Sequence, residues 1–413
     1  MYSFQVAVCC GIALPAGLLT SWCGPKHTAV FGAILATLGW LVAGLAYLYT
    51  ACGLLLLVLG QVIFVGGGYG IMYVAALQGL NQEFTNSRGH GTANGLATSG
   101  SGAGQAGLVA LLHYSLEGLG LELSYMFVLP VLCLVCGLLG LCFLPGKITA
   151  AEVVEAPSTE VVVVHAPSDM EDSAEDEGAS DVEVSPTVNR EAGEASSLDN
   201  MGLPGVIRSK ILDRKIASHK MHMVFLCAAF ADFCAVNALY LPYNFLFPLA
   251  RSANFTSSQT HLLLLPIGAG SFFGRVLAGK LCSCFTGHPR FPLNFTIVAL
   301  ALASSLPALM TTFLSPASLN LTWSFCFFLG LFTGAWIAAT SPLLVSLLGQ
   351  DLLDSAFCRL TVLRGLAALL GPNIAYALST NSPKLPFYLG SGCFFAAACL
   401  FFLAQRMYIR RSS

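Results

Sequence analysis

The stretch DSAEDE, residues 172–177, is the most acidic part of a polar segment that interrupts this otherwise apolar 413-residue chain. It lies within residues 145–220, which hold 15 of the 21 acidic side chains and 7 of the 19 basic ones. Outside that segment about 5% of the residues are charged, against roughly 25% in soluble proteins. With a mean hydropathy of +0.75, the chain cannot cover a surface that faces water. The sequence therefore predicts an all-α polytopic membrane protein that carries one soluble insertion.

Apolar runs on both sides of the insertion are long enough to cross a bilayer, which takes about 20 residues of helix. Eleven runs qualify, and we expect five helices in 1–144 and six in 221–413. The insertion at 145–220 has few aromatic residues and clustered like charges, so we expect a disordered acidic loop with a basic end. The predicted spans are 3–22, 28–49, 52–79, 92–114, 123–144, 221–248, 260–282, 292–314, 321–348, 356–378 and 386–406.

The basic side chains between the runs predict an orientation, because basic residues prefer cytoplasmic loops. With the long loop inside, Lys26, Arg88 and the arginines near the C-terminus all fall on the cytoplasmic side. Lys26 and Arg88 then occupy cytoplasmic turns, where a gating role is expected. The C-terminus is also expected inside, and the sequons at Asn254 and Asn320 are expected outside as glycosylation sites.

Several classes of function have no support in the residues. The 15 cysteines lie mostly inside apolar runs, where a thiol behaves as a small hydrophobe, so no disulfide framework is expected. No zinc-ligand spacing or basic stripe appears, which argues against a nucleic-acid partner. Glycine-rich runs such as 66–70 and 99–104 are expected to pack helices closely. We expect no enzyme, no cofactor and no metal site.

Three ionisable residues fall inside predicted spans, where a charge costs several kcal/mol and is a functional candidate by default. Arg275 carries a planar guanidinium that fits a substrate carboxylate. Asp232 is expected either to accept a coupled proton or to form an ion pair with Arg275 or Arg364. For Arg364, substrate contact and a structural or gating role stand equally open.

Three motifs point to one family. The segment PYNFL at 242–246 closes the span 221–248, and ANGLA at 93–97 lies in the fourth run. The most specific motif is RGLAALLGP at 364–372. In these motifs the chain resembles the monocarboxylate transporters of the major facilitator superfamily, and the similarity covers nearly all of the membrane body.

The resemblance implies two helical halves joined by a long cytoplasmic loop and alternating access around a midplane site. It implies a secondary transporter of small organic anions, most simply monocarboxylates, in the plasma membrane. Arg275 corresponds to an arginine in the family's eighth helix, and Tyr243 and Asn244 belong to the outer-end motif, so all three are substrate-binding candidates. Family members often need a single-span immunoglobulin-like chaperone, which makes such a protein a candidate partner alongside the lipid bilayer.

Two departures from the family keep alternatives open. Ser271, also a substrate-binding candidate, stands where proton-coupled members place an aspartate one turn before the arginine. Proton symport and facilitated transport therefore both remain expectations. The family's first helix has no counterpart before residue 1, which leaves a second hypothesis. The chain would then be a non-transporting truncated isoform, or an incomplete gene model, that binds or regulates partner proteins.

Overall fold

The computed structural model contains helices and no strand in the residues that it describes. The insertion predicted at 145–220 lies outside those residues, and so does Arg88. The all-α prediction is confirmed. The described residues are 2–46, 49, 52–84, 89–118, 127–140, 223–288, 290–349 and 352–412.

The helices before the insertion occupy the five spans predicted there. A break inside α2 separates the first two spans. Gly24 has a φ of 79°, which glycine adopts without steric cost, and Pro25 follows it without a backbone N–H to donate. These helices are α1 (Tyr2–Gly11), α2 (Ala13–Leu45), α3 (Gly53–Phe84), α4 (His90–Gly118) and α5 (Leu129–Gly140).

The helices after the insertion occupy the six spans predicted there. By length and composition, six helices of the described chain could each cross a membrane: α2, α3, α6, α9, α10 and α12. Helix α8 is long enough, but Arg275 and Lys280 lower its hydropathy. The second set is α6 (Met223–Ser252), α7 (Ser257–Leu262), α8 (Leu264–Cys284), α9 (Phe291–Phe313), α10 (Leu319–Leu348), α11 (Leu353–Ser379) and α12 (Leu385–Ser412).

Large apolar side chains cover much of the outer surface of these helices. Soluble proteins rarely expose apolar surface of this extent, whereas a lipid bilayer matches it. The chain is therefore an integral membrane protein. Exposed examples from five helices are Trp22, Leu54, Leu139, Tyr376 and Phe395.

The two most extensive helix contacts between the part of the chain before the insertion and the part after it are formed by two pairs of helices. Helix α4 packs along α8, and α1 packs along α11. In the first pair the backbones approach directly, because a Cβ added at Gly95 would lie 2.6 Å from the Arg275 carbonyl oxygen. A Cβ at Gly102 would lie 2.5 Å from the Phe272 nitrogen. Small residues thus bring α4 against the helix that carries Arg275.

The glycine-rich runs do not all serve packing. Gly68 confirms the expectation, since an added Cβ would lie 2.5 Å from the Gly32 carbonyl oxygen on α2. Gly100 and Gly104 do not, because a Cβ at either position would meet nothing within 4 Å. The second run therefore mixes one close contact with open space.

Helices α8 and α10 form the tightest pair of the described chain after the insertion. A Cβ at Gly334 would lie 2.5 Å from the Ser271 carbonyl oxygen, and one at Gly274 would overlap the Leu331 carbonyl oxygen. Backbone cannot yield to such a clash as a flexible side chain does. The position of Ser271 and Arg275 therefore depends on glycine in this interface.

We predict that Gly274→Ala lowers the free energy of unfolding by about 1–3 kcal/mol, the usual cost of overpacking. Thermal unfolding of the detergent-purified protein measures the change. Gly392→Ala on α12 is the matched control, because an added Cβ there meets nothing within 4 Å. Equal melting temperatures for the two variants would contradict the assigned packing.

Candidate functional site

A cavity of about 650 Å³ lies between helices from both sides of the insertion. Helices α1, α3 and α4 form one part of its wall, and α6, α8, α10 and α11 form the other. Most of the lining is aromatic or aliphatic, with a few polar groups among it, as is usual for sites that bind small molecules. The polar lining residues on α4, α8 and α11 are Ser101, Gln105, Ser271, Arg275, Thr361 and Arg364.

Arg275 reaches from α8 to α4 across the cavity wall. Its Nη1 atom donates to the Thr98 carbonyl oxygen at 2.5 Å and to the Ser101 hydroxyl. Its Nε atom is buried and has no hydrogen-bond partner in the described part of the chain. Both acceptors are neutral, and no salt bridge to Arg275 occurs among the described residues. Within the described residues, the guanidinium therefore has no counter-charge beside the cavity.

Asp232 on α6 forms a buried ion pair with Arg364 on α11. The Arg364 Nε atom donates to Asp232 Oδ2 at 2.7 Å, and Nη2 donates to Oδ1 at 2.8 Å. Nη2 also donates to the Thr340 hydroxyl at 2.9 Å, and the guanidinium lies 5.7 Å from the Trp336 ring centroid. Of the two pairings expected for Asp232, the structure contains the one with Arg364.

The other substrate candidates divide between the cavity and its surroundings. Ser271 and Tyr243 line the cavity, and the Tyr243 hydroxyl donates to Gln105 Oε1 at 3.2 Å. Asn244 does not line it, and its amide instead donates to the Tyr240 carbonyl oxygen on its own helix at 2.7 Å. Neighbouring residues on a helix point about 100° apart, which is consistent with the different surroundings of Tyr243 and Asn244.

The remaining candidates lie away from the cavity. Lys26 is partly buried just after the break at Gly24, and Arg88 is not among the described residues. Asn254 is exposed in the turn after α6, with a φ of 64°. Asn320 is exposed in the first turn of α10.

Asn81, His90 and Asp354 form a polar cluster that contains residues from both parts of the chain. His90 and Asp354 lie just before the predicted spans 92–114 and 356–378. His90 Nε2 donates to Asn81 Oδ1 at 3.2 Å, because an amide oxygen can only accept, and Asn81 Nδ2 donates to Asp354 Oδ1 at 2.8 Å. Burial lowers the pKa of His90, and the charge of Asp354 opposes that shift. Burial raises the pKa of Asp354, and the Asn81 hydrogen bond and His90 oppose it.

Comparison with known proteins identifies the family to which this helical protein belongs. The model of the Major Facilitator Superfamily matches residues 1–372. The chain belongs to the Major Facilitator Superfamily. Because this family and fold belong to membrane transporters, the chain is a secondary transporter of a small molecule and not an enzyme.

The relatives within the superfamily are monocarboxylate transporters. The chain is 25% identical to Monocarboxylate transporter 14 of Mus musculus over an alignment of 419 residues, which covers 94% of this chain and 78% of the relative. It is 30% identical to Monocarboxylate transporter 14 of Homo sapiens over 138 residues, which is 32% of this chain and 25% of the relative. The resemblance predicted from the motifs is confirmed.

Solved structures of superfamily transporters share the fold. The outward conformation of the transporter FucP matches with a TM-score of 0.57 and 16% identity, over 98% of this chain and 89% of that one. A variant of the E. coli fucose:proton symporter FucP matches with the same TM-score and identity, over 98% and 90% of the two chains. At this identity the likeness shows the superfamily fold alone.

Sequence reasoning missed several residues of the transporter's cavity. Tyr2, Tyr69, Tyr73 and Gln105 line it but were not predicted as site residues. The available signal was helical spacing, since cavity-lining positions recur three and four residues apart, as at 69 and 73 or at 101, 104, 105 and 108. That spacing becomes informative only once the adjacent helices are known.

We predict that Asp232→Leu lowers the free energy of unfolding of the transporter by about 3–5 kcal/mol, because Arg364 is then buried without its counter-charge. The double variant Asp232→Leu with Arg364→Leu should recover most of that loss. Thr340→Val, which removes one hydrogen bond to the pair, should cost only about 1 kcal/mol. Thermal unfolding of the unaltered chain, Asp232→Leu, Arg364→Leu and the double variant forms a double-mutant cycle. If the loss of unfolding free energy in the double variant equals the sum of the losses in the two single variants, the residues do not stabilise each other.

Proposed function

We propose that this secondary transporter carries small organic anions with a single carboxylate and that Arg275 holds the carboxylate. The observation that carries the proposal is the uncompensated guanidinium of Arg275 beside the cavity, with its Nε atom unpartnered among the described residues. A guanidinium binds a carboxylate through two parallel hydrogen bonds, which are among the strongest in proteins.

The charges around the cavity favour one carboxylate over two. Arg364 also lines the cavity, but its bidentate contact with Asp232 neutralises its charge. Arg275 is then the single uncompensated charge of this polar set in the described residues. A monocarboxylate would leave the occupied cavity neutral, whereas a dicarboxylate would leave a net negative charge in a poorly solvated site.

The relatives support the same class of substrate. The proteins similar to this chain are named as monocarboxylate transporters, and Arg275 stands where proton-coupled members of that family keep an arginine. Ser271 replaces the aspartate of those members and cannot exchange a proton near neutral pH. The proposal therefore includes no proton relay at this position, and facilitated transport is the simplest mode.

Alternating access requires the two parts of the chain to separate at one end of the cavity at a time. Among the described residues, the hydrogen bond from Asn81 to Asp354 joins α3 to α11, and the proposal places the cluster of Asn81, His90 and Asp354 at one end of the cavity. We propose that this cluster is broken when the cavity opens at that end. Its modest strength suits such a gate, because net hydrogen-bond contributions are about 1 kcal/mol each.

The orientation and location are proposals as well. The distribution of basic residues favours a cytoplasmic long loop and C-terminus, and the resemblance favours the plasma membrane. Exposed Asn254 and Asn320 would then face outward for glycosylation. A single-span immunoglobulin-like partner belongs to the same proposal, so uptake should be measured with and without its co-expression.

We predict that Arg275→Lys reduces labelled monocarboxylate uptake by about 10- to 100-fold, which corresponds to about 1.5–3 kcal/mol for a hydrogen bond to a charged group. Lysine keeps the charge but loses the planar fork. Uptake into cells is compared at equal surface protein. Arg359→Lys is the matched control, because Arg359 is exposed on α11 and does not line the cavity.

Undiminished uptake by Arg275→Lys would overturn the assignment of Arg275 as the bidentate anchor. Surface expression of the unaltered chain without any carboxylate flux, with the partner present, would overturn carboxylate transport itself. That second result would favour the non-transporting hypothesis.

A further inference from the structure

Two contacts on α4 lie one helical turn apart on the cavity wall. Ser101 accepts a hydrogen bond from Arg275, and Gln105 Oε1 accepts one from the Tyr243 hydroxyl at 3.2 Å. Positions four residues apart on a helix share a face and are separated by roughly 6 Å along its axis. The cavity therefore has two polar points at a defined spacing.

Each of these points carries a buried donor that lacks a partner within the described chain. The two donors are Arg275 Nε and Gln105 Nε2. An unsatisfied buried donor is unfavourable, so a ligand toward which both side chains turn, and which accepts a hydrogen bond from each, would bind well. The two side chains contact α4 at points about 6 Å apart, which sets the scale for the separation of the ligand's acceptor groups.

Aromatic rings surround the second point. The Tyr240 and Tyr243 ring centroids are 6.5 Å apart with the planes inclined by 51°. The Tyr2 and Tyr240 centroids are 6.1 Å apart in an edge-to-face arrangement. All three rings line the cavity, and these spacings fall in the range of attractive aromatic pairs. A ligand ring can extend this series by the same type of contact.

Open space lies beside the two polar points. Gly104 lines the cavity on the same face of α4 as Ser101 and Gln105, and a Cβ added there would meet nothing within 4 Å. This glycine makes no close helix contact that would explain it. Its small size instead leaves room for a flat group against the helix.

We infer that the carried anion is an aryl or arylalkyl monocarboxylate with an acceptor atom on its ring. The inference rests on the proposed function, since it takes Arg275 as the carboxylate anchor. The ring lies against Tyr240 and Tyr243, and Gln105 Nε2 donates to the ring substituent. In 4-hydroxyphenylacetate the carboxyl carbon and the phenol oxygen are about 6–7 Å apart, whereas a three-carbon acid extends only about 2.5 Å from its carboxyl carbon.

Counterflow in vesicles reconstituted with the full-length chain tests the inference, because passive leak of an acid gives no tracer overshoot. The labelled probes are 4-hydroxyphenylacetate, phenylacetate, cyclohexylacetate and propionate. We expect 4-hydroxyphenylacetate to exchange about 10-fold faster than propionate, which cannot reach the second point, and faster than phenylacetate, which lacks the ring oxygen. Phenylacetate should exceed cyclohexylacetate by about 2- to 10-fold, the difference that aromatic contacts provide.

Two substitutions connect the preference to the site. Gly104→Val should lower the ratio of 4-hydroxyphenylacetate exchange to propionate exchange about 10-fold, because it fills the space beside the ring. Gly107→Val is the matched control, because Gly107 lies on the same helix, does not line the cavity and is also free of close contacts. Gln105→Leu should abolish the preference for 4-hydroxyphenylacetate over phenylacetate.

The outcomes separate the inference from the proposed function. Propionate exchange that equals or exceeds exchange of the aryl acids would overturn the inference and leave monocarboxylate transport intact. Equal exchange of the cyclohexyl and aryl acids would also overturn it. Absence of exchange for every carboxylate, with folded protein in the vesicles, would overturn both. An aryl preference that Gly104→Val removes and Gly107→Val keeps would support the inference.

Discussion

The constraint on which this site depends is that a charge buried among apolar helices must be compensated. Asp232 and Arg364 meet it together, through two short hydrogen bonds and a third to Thr340. Because both carboxylate oxygens of Asp232 accept hydrogen bonds from Arg364, this carboxylate is not available to Arg275. Arg275 therefore contacts only neutral oxygens within the described chain, and under the proposed function it is the group that a substrate anion compensates.

Close helix packing is what holds the two arginines at one cavity. Glycines let α8 approach α10 on one side and α4 on the other, so that Arg275 reaches Ser101 directly. The contact of α1 with α11 similarly brings the helix that carries Arg364 beside the first part of the chain. In a bilayer such packing has to come from backbone proximity and van der Waals contact, because no hydrophobic effect drives helices together within lipid.

Much of this fold can be predicted from the hydropathy of the sequence. The site cannot, because it depends on which face each helix turns inward and on which helices are neighbours. Charge-poor runs predicted every span, and the polar linker around Gly24 coincides with the break in α2. Depth in the membrane marked Asp232, Arg275 and Arg364 as candidates, but it could not decide which arginine pairs with the aspartate. Depth depends on position along one helix, whereas pairing depends on which helices are neighbours.

The resemblance implies that Ser271 stands where proton-coupled relatives keep an aspartate, and this difference would affect the chemistry of the cavity. An aspartate one turn from Arg275 would compete with a substrate for the guanidinium, so anion binding and protonation of that aspartate would be linked. With serine at this position, no such competitor exists on α8, and the carboxylate that the cavity retains is bound on α6 to a different arginine. Affinity of Arg275 for an anion is then set by the anion's own acceptor geometry. Under the proposed function, the spacing between Ser101 and Gln105, rather than a proton relay, would then be the feature that distinguishes one organic acid from another.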